Sequence, residues 1–373
     1  MTETLLPAGA TPWMRAIAEV NHEALQQVRQ HYDNFGMKWQ NPQPRIMPHL
    51  IQETGLGILS PYVDNIYQLY DVGLEWLRIR GFEAAVYKGL GFIDYDGLLE
   101  QAPSRRRKWH WDQLALDRLP RSEEDLPRIA GIVGLSVSRR TKVMRAFSGY
   151  DIRAAELSYS KLGNTLLSSH SGAKVGEVPT KWSFGTTHAF QRALTDAEKQ
   201  EIGVYIDISS GGVTWDELAA PWNEIETPWQ DLGVGAKLRV MARQTALLGG
   251  YMGFYRADGS MIGARRFKAL HQVAPGSTYK IGAEQVTPHD QGQRVYVETL
   301  TGFGEGAGEG AGEDCASVAL LFGATPKPTQ PQGKRWLLPE QIETPFAAVC
   351  SQALTTELRL TKRTRVKVLL SFA

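Results

Sequence analysis

The chain has 373 residues, 41 Lys plus Arg against 40 Asp plus Glu, and a formal net charge of +1. That length gives room for two or three domains, each with its own core. The charge balance provides no whole-molecule field to draw in nucleic acid or an anionic membrane surface, so a nucleic-acid role is not expected.

Two cysteines, Cys315 and Cys350, are too few for a disulfide scaffold and fit a reducing compartment, and a bond between the two stays open. The start Met1-Thr2-Glu3-Thr4 lacks the basic and then apolar run of a signal peptide. No stretch reaches the roughly 18 apolar residues of a membrane span. We therefore expect no membrane insertion and residence in the cytoplasm, unless the protein leaves inside a larger particle.

Helical signals dominate the front of the chain. Thr11 is placed to cap a helix with Pro12 at its first position, where the missing N–H costs nothing. Trp13, Ile17, Val20, Ala24 and Val28 recur at three- and four-residue spacing, which predicts one apolar face on a helix running to about Arg29. After the break Asn41-Pro42-Gln43-Pro44, a short helix with Ile46, Leu50 and Ile51 stops near Gly55. Ser60-Pro61 repeats the cap-then-proline start, and Val63, Ile66, Tyr67 and Tyr70 carry the next apolar face to Gly81. A further helix from Phe82 turns Ala85, Val86 and Leu90 inward.

The segment Gln101 to Pro127 holds Arg105-Arg106-Arg107-Lys108, Trp109-His110-Trp111 and Glu123-Glu124-Asp125, and reads as a connector with a short helix around Asp112 to Arg118. From Ile129 onward, glycines and β-branched or aromatic runs read as strands between turns. Candidate strands are Ala154 to Tyr159, Gly203 to Ile208, Lys237 to Ala242, Tyr251 to Tyr255, Arg294 to Thr299, Ala316 to Phe322, and Leu358 to Leu370 with a turn near Thr361. Alternation over Arg294 to Thr299 and over Arg365 to Leu369 predicts strands with one wet face. Gly302 to Gly312 reads as a mobile low-complexity loop, and Thr325 to Gly333, with its three prolines, as an extended segment.

The expected fold is α+β, a small N-terminal helical bundle followed by β-rich domains. Expected boundaries are 1–100 for the helical module, 101–127 for the connector, 128–240 for a β-containing middle domain and 241–373 for a β-rich C-terminal domain.

Chemistry is sparse. The glycine-rich loop carries Glu305, Glu309 and Glu313 where a phosphate loop needs Lys and a hydroxyl residue. Neither His-Glu-x-x-His nor Cys-x-x-Cys occurs, and His110, His170 and His188 are scattered singles, so neither metal nor cofactor is expected. No Gly-x-Ser-x-Gly elbow is present, and burial would leave Cys315 inert. The best enzymatic candidate is Trp215 to Asp231, where Trp215, Trp222 and Trp229 interleave with acidic residues as in sugar-binding or sugar-cleaving sites. Structural packing explains that pattern more simply, since Pro221 and Pro228 break any long helix there. The basic run before Trp109 reads as a solvated connector or as one side of a protein contact. No residue is expected to be catalytic.

Leu5-Leu6-Pro7 through Ala10-Thr11-Pro12 with the helix that follows, Trp39 to Pro44, Pro48-His49-Leu50, and Arg80-Gly81-Phe82-Glu83-Ala84-Ala85 to Gly91 together resemble the phage tail protein I family over residues 5 to 100. The chain departs from that pattern at Ile51-Gln52-Glu53-Thr54-Gly55, where family members tend to be tryptophan-rich, and at Gly81-Phe82, where Gly-Thr is usual. Phe147 to Ala154, Ser168 to Gly172 and Lys181 to Gly185 are similar to a β-rich extension in some members. The resemblance implies a non-enzymatic virion protein of a contractile tail, assembled in the host cytoplasm. It would join two copies of a J-like baseplate protein into a baseplate wedge beside neighbouring wedge proteins, with its C-terminal region reaching a tail fibre or fibre adaptor. The residues expected to touch partners are Trp13, Ile17, Val20, Ile66, Tyr70, Trp76, Trp222 and Trp229. A glycan-binding or glycan-cleaving tail protein is the alternative.

Overall fold

A computed structural model describes residues 6, 9–40, 42–101, 109–149, 171–176, 180–205, 238, 241–242, 245, 249–270, 279–281, 284–286, 294–303, 309–331 and 334–372. The fold is α+β, helical over its front part and β-rich behind. The chain divides into two compact units, one made of Met1–Asp96 with Glu124–Thr141 and the other of Gly97–Glu123 with Lys142–Ala373. The segment expected as connector and start of a middle domain is shared between the two units.

The first unit holds α1 (Pro12–Gln40), α2 (Met47–Glu53), α3 (Ile66–Ile79), α4 (Glu83–Gly91) and α5 (Asp125–Ser136). Helix α3 starts later than Ser60-Pro61 suggested. Asn65 starts it, with its Oδ1 accepting from Tyr67 N–H at 3.0 Å and its carbonyl from Leu69 N–H at 3.1 Å. Helix α5 occupies sequence read as the start of the strand region. Its buried residues Leu126, Ile129, Ile132, Val133 and Ser136 recur every three or four positions, a helical period that outweighs the β-branched composition.

Helices α4 and α5 cross at Gly89, where an added Cβ would lie 2.8 Å from both Ile132 Cγ2 and Ser136 Oγ. Over that crossing Trp76 of α3 is fully buried. Its indole Nε1–H donates to Ser136 Oγ at 2.9 Å, and the same hydroxyl donates to Ile132 O at 2.7 Å. The turn between α3 and α4 is pinned to the end of α5 by Gly81 N–H on Ser136 O, 2.9 Å, with Gly81 at φ 96°, a conformation glycine adopts without strain.

The second unit contains β1 (Gly97–Gln101), β2 (Trp111–Leu116), β3 (Lys142–Ser148), β4 (Ala173–Lys174), β5 (Lys181–Ala193), α6 (Asp196–Tyr205), β6 (Gly250–Tyr255) and β7 (Met261–Leu270). It continues with β8 (Tyr279–Ile281), β9 (Glu284–Val286), β10 (Arg294–Leu300), β11 (Glu313–Leu321), β12 (Thr325–Pro326), β13 (Trp336–Leu337), β14 (Ile342–Glu343), β15 (Val349–Leu358) and β16 (Lys362–Ser371).

Among the described residues one sheet runs in the order β1-β2-β3-β5-β16-β10-β7-β6-β11-β15. Its longest seam is parallel, β16 against β5 from Lys362↔Phe184 to Ser371↔Ala193. Strand β7 pairs β6 through Met261–Phe267, β13 at Ala264 and Arg265, and β10 through Lys268–Leu270. Val295, Val297, Val366 and Val368 share one apolar core with Phe254, Phe267, Val318, Leu320 and Leu354, so β10 and β16 bury a face together with β6, β7, β11 and β15.

Several expectations change here. Trp111–Leu116 is a strand and not a helix, because it pairs with β1 on one side and with β3 on the other. The face expected to be wet on β10 and β16 is so in part: Arg294, Glu298, Arg365 and Lys367 stay half-buried on it, while Tyr296 and Leu369 are buried there with Ala189 against them. Gly203 to Tyr205 belong to α6, and Leu238, Met241 and Ala242 are helical, so neither stretch is a strand where it is described. The candidate strand Ala154 to Tyr159 lies outside the described residues.

The flanks of the glycine-rich stretch are tied to the sheet, and residues 304–308 of the stretch lie outside the described residues. Glu309 forms an ion pair with Arg265 and accepts from Gly302 N–H at 2.7 Å, while Glu313 pairs with Arg256 at 2.7 Å.

Candidate partner-binding surface

Helix α1 begins as its sequence dictates. The Thr11 carbonyl accepts from Arg15 N–H at 3.1 Å and its hydroxyl from Met14 N–H at 3.4 Å, with Pro12 first in the helix. It then continues to Gln40, well past the expected end near Arg29. At about 1.5 Å per residue a helix of 29 residues is roughly 43 Å long.

None of the residues from Pro12 to Arg29 is buried. Trp13 is 74% exposed, Met14 52%, Val20 66%, Leu25 66% and Val28 52%, and Ile17 is exposed as well. Every one of these lies within one broad stripe of the helix, so the apolar face predicted from the spacing exists and is uncovered. Soluble surfaces rarely leave so long an apolar stripe unused.

The described interior of the first unit is built by its other helices. Leu50, Ile51, Leu56, Leu59, Leu69, Val86 and Leu90 are buried, and α2, α3, α4 and α5 pack on one another. Tyr70 and Trp76, expected at a partner interface, belong to this interior at 3% and 0% exposure, and a partner could not reach them without opening the unit. Trp13, Ile17 and Val20 are on the open face. The side chain of Ile66, and Trp222 and Trp229 altogether, lie outside the described residues, as does the rest of the tryptophan-rich stretch Trp215 to Asp231.

Other chemical groups serve the fold. Thr195 and Glu198 form a reciprocal cap on α6: Glu198 N–H donates to Thr195 Oγ1 at 3.3 Å, and Thr195 N–H donates to Glu198 Oε2 at 2.9 Å. Glu198 also accepts from Cys350 N–H at 2.6 Å and pairs with Arg192 at 3.2 Å, which ties α6 to β15. Burial pushes this carboxyl up, but the Thr195 and Cys350 donors and the Arg192 charge together hold it below the usual carboxylate value. The sequence signal for this cap is Thr195-x-x-Glu198, a hydroxyl residue followed three positions later by a carboxylate.

Both cysteines are buried free thiols. Burial raises each, Cys350 to about 12 with Glu198 adding to the rise, so neither is a ready nucleophile. His188 is pushed down by burial and then by Lys362, and its Nε2 is buried without a hydrogen-bond partner. Among the described residues no three His, Cys, Asp or Glu side chains gather as a metal site, and no helix is long and apolar enough to cross a membrane.

No family model matches the chain, and no curated protein matches it. The surface geometry therefore carries the functional argument.

Proposed function

We propose that this protein is a structural subunit of a contractile-tail baseplate wedge, in which the first unit docks other subunits through α1. The observation that carries the reading is the uncovered apolar stripe of α1 from Trp13 to Val28. An exposed face of this kind is completed by packing against another apolar face, as in obligate subunit interfaces. The resemblance over residues 5 to 100 supplies the partner, a J-like baseplate protein present in two copies per wedge, among neighbouring wedge proteins. The second unit then offers its sheet edges and loops to a tail fibre or fibre adaptor. No catalytic step, cofactor or metal enters this role, and its place is the virion after assembly in the host cytoplasm.

Co-expression of the full chain with a J-like baseplate protein, followed by mass measurement of the purified species, tests the proposal. A stable complex holding two partner copies is expected. A well-behaved monomer that ignores the partner contradicts it.

A further inference from the structure

Strand β15 enters the sheet through a bulge. Leu320 pairs Val349 and Val318 pairs Gln352, so Ala319 of β11 stands against both Cys350 and Ser351. Cys350 lies at φ 56°, in the left-handed region that a residue with a Cβ enters at a cost. Two backbone groups of the bulge bond to side chains. Cys350 N–H donates to Glu198 Oε1 at 2.6 Å, and Ser351 O accepts from the guanidinium of Arg192, which pairs with the same carboxylate at 3.2 Å. Further along α6, Glu201 Oε1 accepts from Ala347 N–H at 2.7 Å, and the Tyr205 ring meets Phe346 edge-on with centroids 5.5 Å apart. Glu198, Glu201 and Tyr205 follow one another at three and four positions, which puts them on one face of α6.

We propose that residues 346–351 form a strap latched to α6, which comes off as a unit ahead of the sheet when the Glu198 carboxylate takes up a proton. Glu198 is the centre of the latch. Its Oε1 serves Cys350 and Arg192, and its Oε2 accepts from Thr195 N–H at 2.9 Å and from Thr195 Oγ1 at 3.1 Å. A neutral carboxyl loses the charge that attracts Arg192 and turns one acceptor oxygen into a donor, so the set of four bonds no longer closes. Cys350 then keeps a costly backbone conformation without the bond that holds it. The other ionisable groups at the latch are Arg192 from β5, the Cys350 thiol from β15, and, on α6 itself, Glu201 and the Asp196–Lys199 pair. Thr195, Cys350 and Arg192 hold the Glu198 carboxyl below its ordinary 4.5, so the latch is closed above that pH and opens as pH falls through the folded value. Opening takes Phe346 off Tyr205 and uncovers the Cys350 thiol, while Cys315, on β11 in the same core, stays covered.

The test labels the full chain with dithiodipyridine, which thiols attack in acid as well as at neutral pH, and reads Cys350 and Cys315 separately by peptide mass. At about pH 7, E198Q is expected to raise labelling of Cys350 at least about tenfold over the parent and to leave Cys315 unchanged, and E201Q, which loosens one bond of the strap, to raise it by less. Acidifying the parent through pH 4.5 is expected to bring up Cys350 ahead of Cys315, a step absent from E198Q. Cys350 as protected in folded E198Q as in the parent overturns the proposal, and so does acid labelling in which both thiols rise together. If circular dichroism shows E198Q unfolded, the acid titration of the parent decides alone: Cys350 ahead of Cys315 supports the strap, and a simultaneous rise overturns it.

Discussion

Replacing Trp76 by alanine is expected to destabilise the first unit by about 3–5 kcal/mol, the range for emptying a large buried aromatic site. The structure sets this magnitude. The side chain is 0% exposed, and its indole N–H is satisfied by Ser136 Oγ at 2.9 Å. Collapse around the lost ring is limited because Gly89, Ile132 and Ser136 already sit in close contact at the α4–α5 crossing. The converse change, Gly89→Ala, adds a Cβ 2.8 Å from Ile132 Cγ2 and Ser136 Oγ and is expected to cost about 1–3 kcal/mol by overpacking. Urea unfolding of the full chain, followed by circular dichroism and by fluorescence, reports both. With two units the transition is expected to split, and only the part belonging to the helical unit moves to lower urea. A loss under 1 kcal/mol for Trp76→Ala would refute the packing argument, as would a shift confined to the β-rich unit.

Three further outcomes follow from the same geometry. The double change Ile17→Asp and Val20→Asp falls on the open face of α1 and is expected to alter stability by no more than about 0.5 kcal/mol while abolishing partner capture; a large stability loss in the free chain would show that the face is already covered. Glu198 is held below its ordinary value of 4.5, so it stabilises the fold above about pH 4.5, and that contribution drains away as pH falls through the folded value. Glu198→Gln is expected to remove this part of the acid dependence, and a variant that loses thermal stability below pH 4.5 as steeply as the parent would contradict the cap. Cys315 and Cys350 are expected to resist thiol reagents at about pH 8 in the native chain and to react once it is unfolded, because both thiols are raised by burial; fast native labelling would place them at the surface instead.

Helix α1 was legible because its information is local: a cap, a proline at the first turn, and apolar residues recurring at three and four. The same holds for β10 and β16, whose alternation located the strands. It did not disclose that part of the second face would be covered, since Tyr296, Leu369 and Ala189 come together only through pairing of strands distant in sequence. The segments misread, Trp111–Leu116 and Asp125–Ser136, lie where the chain passes from one unit to the other and back. There the strand is fixed by ladders to β1 and β3, and the helix by packing under Gly89, neither of which a short window contains. Tyr70 and Trp76 show the limit on the site. Their apolar stripe was visible, but whether it faced the chain's own core or a partner depended on α4 and α5.

Hydrogen exchange along α1, compared between the free chain and its complex with a J-like baseplate protein, tests the central claim most directly. From Pro12 to Arg29 no residue of α1 is buried, so the amides of this stretch are expected to exchange quickly in the free chain, far faster than those of α3 around Trp76, and to become strongly protected on binding. Protection of α1 in the free monomer equal to that of α3, or no gain in protection within a formed complex, would contradict the account.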